Sequence, residues 1–103
     1  YQKAIEYHQK ARKIYEKLKD DYLKGAVYNN LGNSYSNLNL QDSATFYFKN
    51  AIRQHLLASD EYGLSIAYSG YATQMQFMEF YDSSLFYHYK ALALKEKMNE
   101  VSL

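Results

Sequence analysis

Three histidines and one tyrosine–lysine pair are the residues whose types and spacing can support chemistry in this 103-residue chain. His8 and His88 lie two copies of an internal repeat apart. Metal–imidazole bonds are only about 2 Å long, so we expect these two side chains to be too distant to share an ion. No histidine has a Cys, a His or a carboxylate at a recognised ligand spacing. We therefore expect no metal site and interpret His8 and His88 as packing residues.

Tyr15 and Lys19 form a Tyr-x-x-x-Lys pair of the kind that dehydrogenases use. That chemistry also requires a glycine-rich phosphate loop after a strand, and the chain has none. It has no Gly-x-Ser-x-Gly, no P-loop and no carboxylate pair in an apolar setting. We expect no catalysis and no cofactor in this chain. A kinase domain elsewhere in a longer parent protein remains open.

The composition favours long helices and excludes several other classes. There is no Cys, which excludes disulfides but leaves the redox compartment open. There is no Pro and only four Gly, a composition suited to uninterrupted helices. No apolar run approaches the roughly 18–20 residues of a membrane span. The chain begins at Tyr1, so we expect it to be a piece of a longer protein.

The net charge of +1 is unevenly distributed. Residues 1–20 carry six Lys or Arg against three acids, and residues 61–103 carry three against five. The first segment could in principle attract nucleic acid. Its tyrosines, however, belong mainly to a packing stripe. We interpret the basic residues as a solvated face and expect no nucleic-acid partner.

The sequence repeats itself with a period of about 40 residues, within the range typical of helical-repeat arrays. Matching positions in successive copies are Tyr7, Tyr47 and Tyr87, and Ala11, Ala51 and Ala91. Within each copy, apolar residues recur at steps of three and four, as on one face of a helix. In the first helix this stripe is Ala4, Tyr7, Ala11, Ile14 and Leu18.

These stripes predict an all-α fold of about five helices. The expected ranges are 2–19, 22–38, 42–58, 62–78 and 82–98. Asp42 and Asp82 fall where a helix begins. Carboxylates there accept hydrogen bonds from the free backbone N–H groups and interact favourably with the helix dipole. The small residues Ala11, Ala51 and Ala91 recur at mid-helix, and Gly32 and Ala72 occupy the partner helices. We expect them to let helix backbones approach closely while larger residues fill the space around them.

The segment Tyr28, Leu31-Gly32, Tyr35, followed by Ala44, Phe48 and Ala51, resembles a tetratricopeptide repeat. The resemblance implies a right-handed α-solenoid of antiparallel helix hairpins. Residues 1–20 would be the second helix of a preceding repeat, and 21–60 and 61–103 two further repeats. The longer period and the missing Pro depart from the usual pattern of about 34 residues. This variant resembles tetratricopeptide regions of bacterial, Bacteroidetes-type sensor and regulator proteins, ahead of histidine-kinase or helix-turn-helix domains. The resemblance is compatible with a location in either the bacterial cytoplasm or the periplasm.

In this family the first helix of each pair lines a concave face. The resemblance places these partner-binding residues there: Asn29, Asn30, Asn33, Ser36, Asn37, Ser69, Thr73, Gln76 and Phe77. Uncharged amides satisfy both donors and acceptors of an extended peptide. A merely solvated polar face is the alternative interpretation of these residues. Lys24 is the one basic residue on these helices, so a clamp for a C-terminal carboxylate is not expected.

The expected function is a non-catalytic scaffold that binds a protein or peptide. The alternative is a receptor for a small peptide or other small signalling ligand in the groove. The first and last helices lack covering helices, so apolar residues such as Leu85, Leu92 and Leu94 should be uncovered. We expect the chain to self-associate through these end helices.

Overall fold

The computed structural model describes residues 2–18 and 21–102, and this part of the chain is all-helical, with no strand. The helices are α1 (Gln2–Leu18), α2 (Asp21–Asn37), α3 (Gln41–Leu57), α4 (Glu61–Phe77) and α5 (Tyr81–Ser102). The predicted number of helices is confirmed for these residues. The second to fourth helices begin and end one residue earlier than expected. The fifth continues to Ser102, beyond the expected end at residue 98.

Three turns of one geometry join α2 to α5. Each has a residue with positive φ at its centre, and these residues are equally spaced along the chain: Asn39 (φ 61°), Ser59 (φ 52°) and Glu79 (φ 64°). The next N–H then donates back to a carbonyl five residues earlier, as in the Schellman ending of a helix. These three bonds, each 2.9 Å long, are Leu40 N to Tyr35 O, Asp60 N to His55 O, and Phe80 N to Met75 O. The chain therefore reverses in the same way at regular intervals, which makes the fold helical-repeat-like.

Neighbouring helices pack in sequence order, with one further contact. The packed pairs are α1 with α2, α2 with α3, α3 with α4, α4 with α5, and α2 with α4. The Cα atoms span 39 × 34 × 17 Å. A thickness of 17 Å fits two layers of helices whose axes lie about 8–10 Å apart. Because α2 contacts α4 directly, these two helices lie side by side, with α3 packed against both.

The core is built on close backbone approach around Phe48. This ring is fully buried. A Cβ added to Gly32 on α2 or to Gly70 on α4 would come within 2.8 Å of the ring. Ala51 and Ala91 are also buried, as their recurrence at one helical phase predicts. Small residues therefore admit the large ring between α2 and α4.

The predicted packing stripe of α1 is wrong at two positions. Tyr7 is 70 % exposed and Ile14 is 58 % exposed, whereas Ile5 is buried. Tyr47, at the phase of Tyr7, stacks on Tyr35 of the preceding helix with ring centroids 5.4 Å apart. Within residues 2–18 and 21–102 no helix occupies that side of α1. Tyr7 therefore has no corresponding ring to cover it there.

The far side of α5 is uncovered, as expected for Leu85 and Leu92, which are about half exposed at 53 % and 49 %. Leu94 differs, since it packs against the buried residues Leu64, Tyr68 and Ala91. Among the residues that the structure describes, no helix is long and apolar enough to cross a membrane.

Candidate functional site

Two stripes of side chains line the face shared by α2 and α4. A helix brings residues three and four apart onto one side, so each stripe follows a single helical phase. The α2 stripe is Ala26, Asn29, Asn30, Asn33, Ser36 and Asn37. The α4 stripe is Tyr62, Ile66, Ser69, Thr73, Gln76 and Phe77. We call the surface formed by these twelve residues the α2–α4 face; it contains no Lys, Arg, Asp or Glu.

Helical phase assigns the nine predicted site residues to the α2–α4 face, and the structure shows that they differ in exposure. Six are exposed: Asn30, Asn33, Asn37, Thr73, Gln76 and Phe77. Ser36 and Ser69 are half-buried. Asn29 is buried at 7 % exposure, which the sequence pattern did not indicate. The face is therefore an uncharged surface of amides and hydroxyls, with apolar side chains near both ends of its α4 stripe.

A cavity of about 180 Å³ opens at the N-terminal end of the α2–α4 face. We call it the α2–α4 cavity. Its lining residues are Ala26, Asn29, Asn30, His55, Asp60, Tyr62, Gly63 and Ile66. Tyr62 is 64 % exposed and Ile66 is 40 % exposed, so the cavity is open to solvent along its α4 wall.

A histidine–aspartate pair forms part of the cavity lining. His55 extends from α3, and its Nδ1 lies 3.1 Å from Oδ2 of Asp60. The other carboxylate oxygen of Asp60 accepts the Gly63 N–H at 3.0 Å, which caps the start of α4. A Cβ on Gly25 would come within 2.6 Å of the His55 ring, so the imidazole fits only because this position is bare. Asp60 thus anchors both the imidazole and the first turn of α4.

Burial lowers the pKa of His55 below its usual 6.5, although the Asp60 carboxylate and a hydrogen bond with the Gly25 backbone oppose this shift. The imidazole is therefore neutral near pH 7. A carboxylate only accepts hydrogen bonds, so neutral His55 donates from Nδ1 to Asp60. At 3 % exposure the ring offers little surface to a ligand. Its geometry suits bridging α3 to α4 better than proton transfer.

Asn29 is the polar residue of the cavity with an unmet hydrogen bond. Its Oδ1 is buried and has no hydrogen-bond partner among the described residues. In contrast, one oxygen of Asp60 is hydrogen-bonded to Nδ1 of His55, and its other oxygen accepts from the Gly63 N–H. A buried acceptor without a donor costs roughly 1–3 kcal/mol. This oxygen lies against Gly70 of α4, 3.4 Å from where a Cβ there would stand, so a donor from the cavity reaches it only after the amide rotates.

A second concave area of about 300 Å³ lies at the C-terminal end of α4. It is lined by Thr73, Gln76, Phe77, Glu79 and Tyr81. Phe77 is 75 % exposed and Tyr81 is 58 % exposed. Aromatic residues such as these are enriched at protein–protein interfaces. The α4 stripe thus has aromatic residues at both ends, Tyr62 and Phe77.

Sequence reasoning missed several residues of this site. Tyr62 and Ile66 share the helical phase of Thr73, so extending the α4 stripe towards its N-terminus would have found them. The pairing of His55 with Asp60 crosses a turn, where no helical spacing applies.

His8, interpreted from the sequence as a packing residue, contacts Tyr7 edge-on, with ring centroids 5.5 Å apart.

The remaining chemical candidates do not form a cluster in the part of the chain that the structure describes. No three His, Cys, Asp or Glu side chains there come together in a way that could hold a metal ion. Lys19, the second member of the tyrosine–lysine pair, lies outside the described residues.

Comparison with protein families, curated proteins and solved structures gave no match to this chain.

Proposed function

We propose that this chain is a non-catalytic scaffold of tetratricopeptide type that binds an extended segment of another protein along the α2–α4 face. The observation that carries the proposal is the uncharged stripe of amides and hydroxyls on α2 beside a stripe with aromatic ends on α4. An extended segment leaves its backbone donors and acceptors unpaired, and Asn and Gln side chains satisfy both. The exposed rings of Tyr62 and Phe77 supply apolar contact area at either end.

The identical turns support the solenoid part of the proposal. Helical-repeat proteins stack supersecondary units of one geometry, and their shared face forms an extended binding surface. The equal spacing of the turns at Asn39, Ser59 and Glu79 gives two helices for each copy of the sequence repeat. The resemblance to bacterial sensor and regulator proteins leads us to propose that the scaffold serves such a protein.

The binding proposal is tested by display selection with a surface-blocked variant. A phage library of twelve-residue peptides is selected on the chain, and selected peptides are titrated by calorimetry. The variant carries Asn33→Lys and Thr73→Lys, two exposed positions at matching phases of α2 and α4. We expect it to lose binding by tenfold or more.

The matched control carries Ala93→Lys and Asn99→Lys, which add the same charge on α5, away from the α2–α4 face. It should bind the selected peptides with unchanged affinity. Equal loss in both variants, or no loss in the blocked variant, would contradict binding at the α2–α4 face.

A second candidate function is a receptor for a small ligand, which the α2–α4 cavity favours. Its volume of about 180 Å³ suits a single small group rather than a peptide. A thermal-shift screen that compares small ligands with selected peptides separates the two candidates.

A further inference from the structure

We propose that the α2–α4 cavity is a side-chain pocket that takes one aliphatic or aromatic residue of the bound segment, with a backbone N–H of that segment donating to Asn29. The proposal rests on the proposed function and assigns ligand chemistry to one part of the α2–α4 face.

The size of the cavity defines the first part of this chemistry. An enclosed apolar cavity of about 150 Å³ in a protein interior holds a benzene molecule. The α2–α4 cavity, at about 180 Å³, is large enough for a leucine or phenylalanine side chain. Ala26, Tyr62 and Ile66 give it apolar walls, and the two larger of these expose much of their surface. Covering them with an apolar group removes that surface from water.

The hydrogen-bond inventory of the cavity defines the second part. The oxygens of Asp60 are committed to His55 and to the Gly63 N–H. Oδ1 of Asn29 is buried without a partner among the described residues. This oxygen lies against Gly70 of α4, and because the terminal torsion of Asn is broad, rotation of the amide can turn it to an incoming donor. The cavity therefore suits a ligand with an apolar body and one hydrogen-bond donor. One apolar residue of a peptide provides both, since its backbone N–H is the donor.

The charge near the cavity defines what it rejects. Asp60 places a carboxylate in the lining, and its partner His55 is neutral near pH 7. No Lys or Arg lines the cavity in the part of the chain that the structure describes. An acidic side chain would lose its hydration and face a like charge, so the pocket discriminates against Asp and Glu.

Blocked single residues test the pocket directly. The probes are the N-acetyl methylamides of leucine, phenylalanine and aspartate, titrated into the ¹⁵N-labelled chain at millimolar concentration. We expect the leucine and phenylalanine probes to shift the backbone amides of Asn29, Gly63 and Ile66. The aspartate probe should leave these signals in place. Shifts confined to other surfaces, or equal shifts with the aspartate probe, would overturn the proposal.

Asn29→Leu removes the acceptor while nearly keeping the side-chain shape. We expect about tenfold weaker binding of the leucine probe, since one hydrogen bond to a buried group is lost. The melting temperature should stay the same or rise, because an apolar group replaces an unpaired buried oxygen. A fall in melting temperature with unchanged probe affinity would make Asn29 a structural residue and overturn the proposal.

Ala26→Leu is a second variant, which fills the pocket from an exposed position of α2. It should abolish the probe-induced shifts with little effect on folding. The matched control Asn33→Leu makes the Asn29 change one helical turn further along α2, outside the cavity lining. It should bind the leucine probe with unchanged affinity. An equal loss of probe binding in this control would overturn the proposed pocket.

Two outcomes separate this proposal from the function on which it rests. If selected peptides bind along the α2–α4 face and their affinity is unchanged by Asn29→Leu and Ala26→Leu, the proposed side-chain pocket is overturned. The proposed binding along the face is then retained. If single blocked residues bind in the cavity while no peptide binds the face, the extended-segment function is overturned. That second result would still support the preference of the cavity for an apolar group with one donor.

Discussion

Nδ1 of His55 lies 3.1 Å from the Asp60 carboxylate, in the only described ion-pair geometry that involves a buried side chain. The pair spans the turn between α3 and α4, and the same aspartate caps α4 through the Gly63 N–H. One carboxylate therefore links the end of α3, a buried imidazole and the start of the next helix. This arrangement contributes to the lining of the α2–α4 cavity.

Stability should rise with pH on the acidic side of neutrality because of His55. Burial lowers the pKa of its imidazole in the folded chain, whereas the unfolded chain titrates near 6.5. Between these two values the unfolded state binds more protons. The contribution is therefore complete above about pH 6.5 and is lost as pH falls through the folded pKa. Urea denaturation across the acidic to neutral range measures this change in the free energy of unfolding.

His55→Gln should flatten that pH dependence, whereas His88→Gln should leave it in place, since His88 has no part in the pair. A free energy of unfolding that increases as the solution is acidified below the ordinary histidine pKa would contradict the neutral state assigned to His55.

Asp60→Ala should destabilise the fold by about 2 kcal/mol, because it removes an N-cap, worth about 1 kcal/mol, and leaves the buried Nδ1 of His55 without its partner. Asp60→Asn keeps an acceptor for the Gly63 N–H and should cost less. Asp42→Ala is the matched control, because Asp42 is an exposed acid in the first turn of α3. Equal midpoints in urea for Asp60→Ala and Asp42→Ala would show that the pair contributes nothing.

Ala51→Leu should destabilise the chain by about 2 kcal/mol through overpacking. Ala51 is fully buried in the cluster that includes Val27, Leu31 and Tyr47. In a domain of this size, a loss of about 1 kcal/mol lowers the melting temperature by roughly 4–8 °C. Ala93→Leu, at an exposed position of α5, is the control. Equal melting temperatures for the parent and the Ala51 variant would contradict the close approach of helices at this residue.

The chain should self-associate at high concentration through the uncovered apolar face of α5. Leu85 and Leu92 expose about half of their surface on one side of this helix. Replacing both with Lys should reduce the mass measured by light scattering towards that of a monomer. The control replaces Leu56 and Leu57 of α3, which are similarly exposed, with Lys. A strict monomer in the parent chain, or no change on replacing Leu85 and Leu92, would contradict this interface.

Much of the helical framework was predictable from the sequence, because its periodicity is strong and its breaks are regular. The recurrence of Ala51 and Ala91 at one phase correctly indicated close helix contacts. The Schellman turns were not predictable from residue types, since Asn39, Ser59 and Glu79 adopt positive φ where Gly is the usual residue. There the tertiary packing of the flanking helices outweighs local preference.

The exposure of several α4 residues was predictable from the sequence, whereas the cavity was not. Helical phase alone placed Thr73, Gln76 and Phe77 on the surface of α4. The burial of Asn29 and the pairing of His55 with Asp60 depend on how closely three helices approach. Spacing along one helix does not carry that information. The exposure of Tyr7 likewise depends on helix packing, because no helix among the described residues covers that side of α1.

The most direct test of the central claim is a ¹⁵N–¹H titration of the intact chain with a peptide from the display selection. If the chain binds an extended segment along the α2–α4 face, the backbone amides of Asn30, Asn33, Thr73 and Phe77 should shift together and saturate at one stoichiometric equivalent. The amides of α1 and the C-terminal half of α5 should not move. Shifts confined to α1 or to the uncovered face of α5, with these four amides unchanged, would contradict the account.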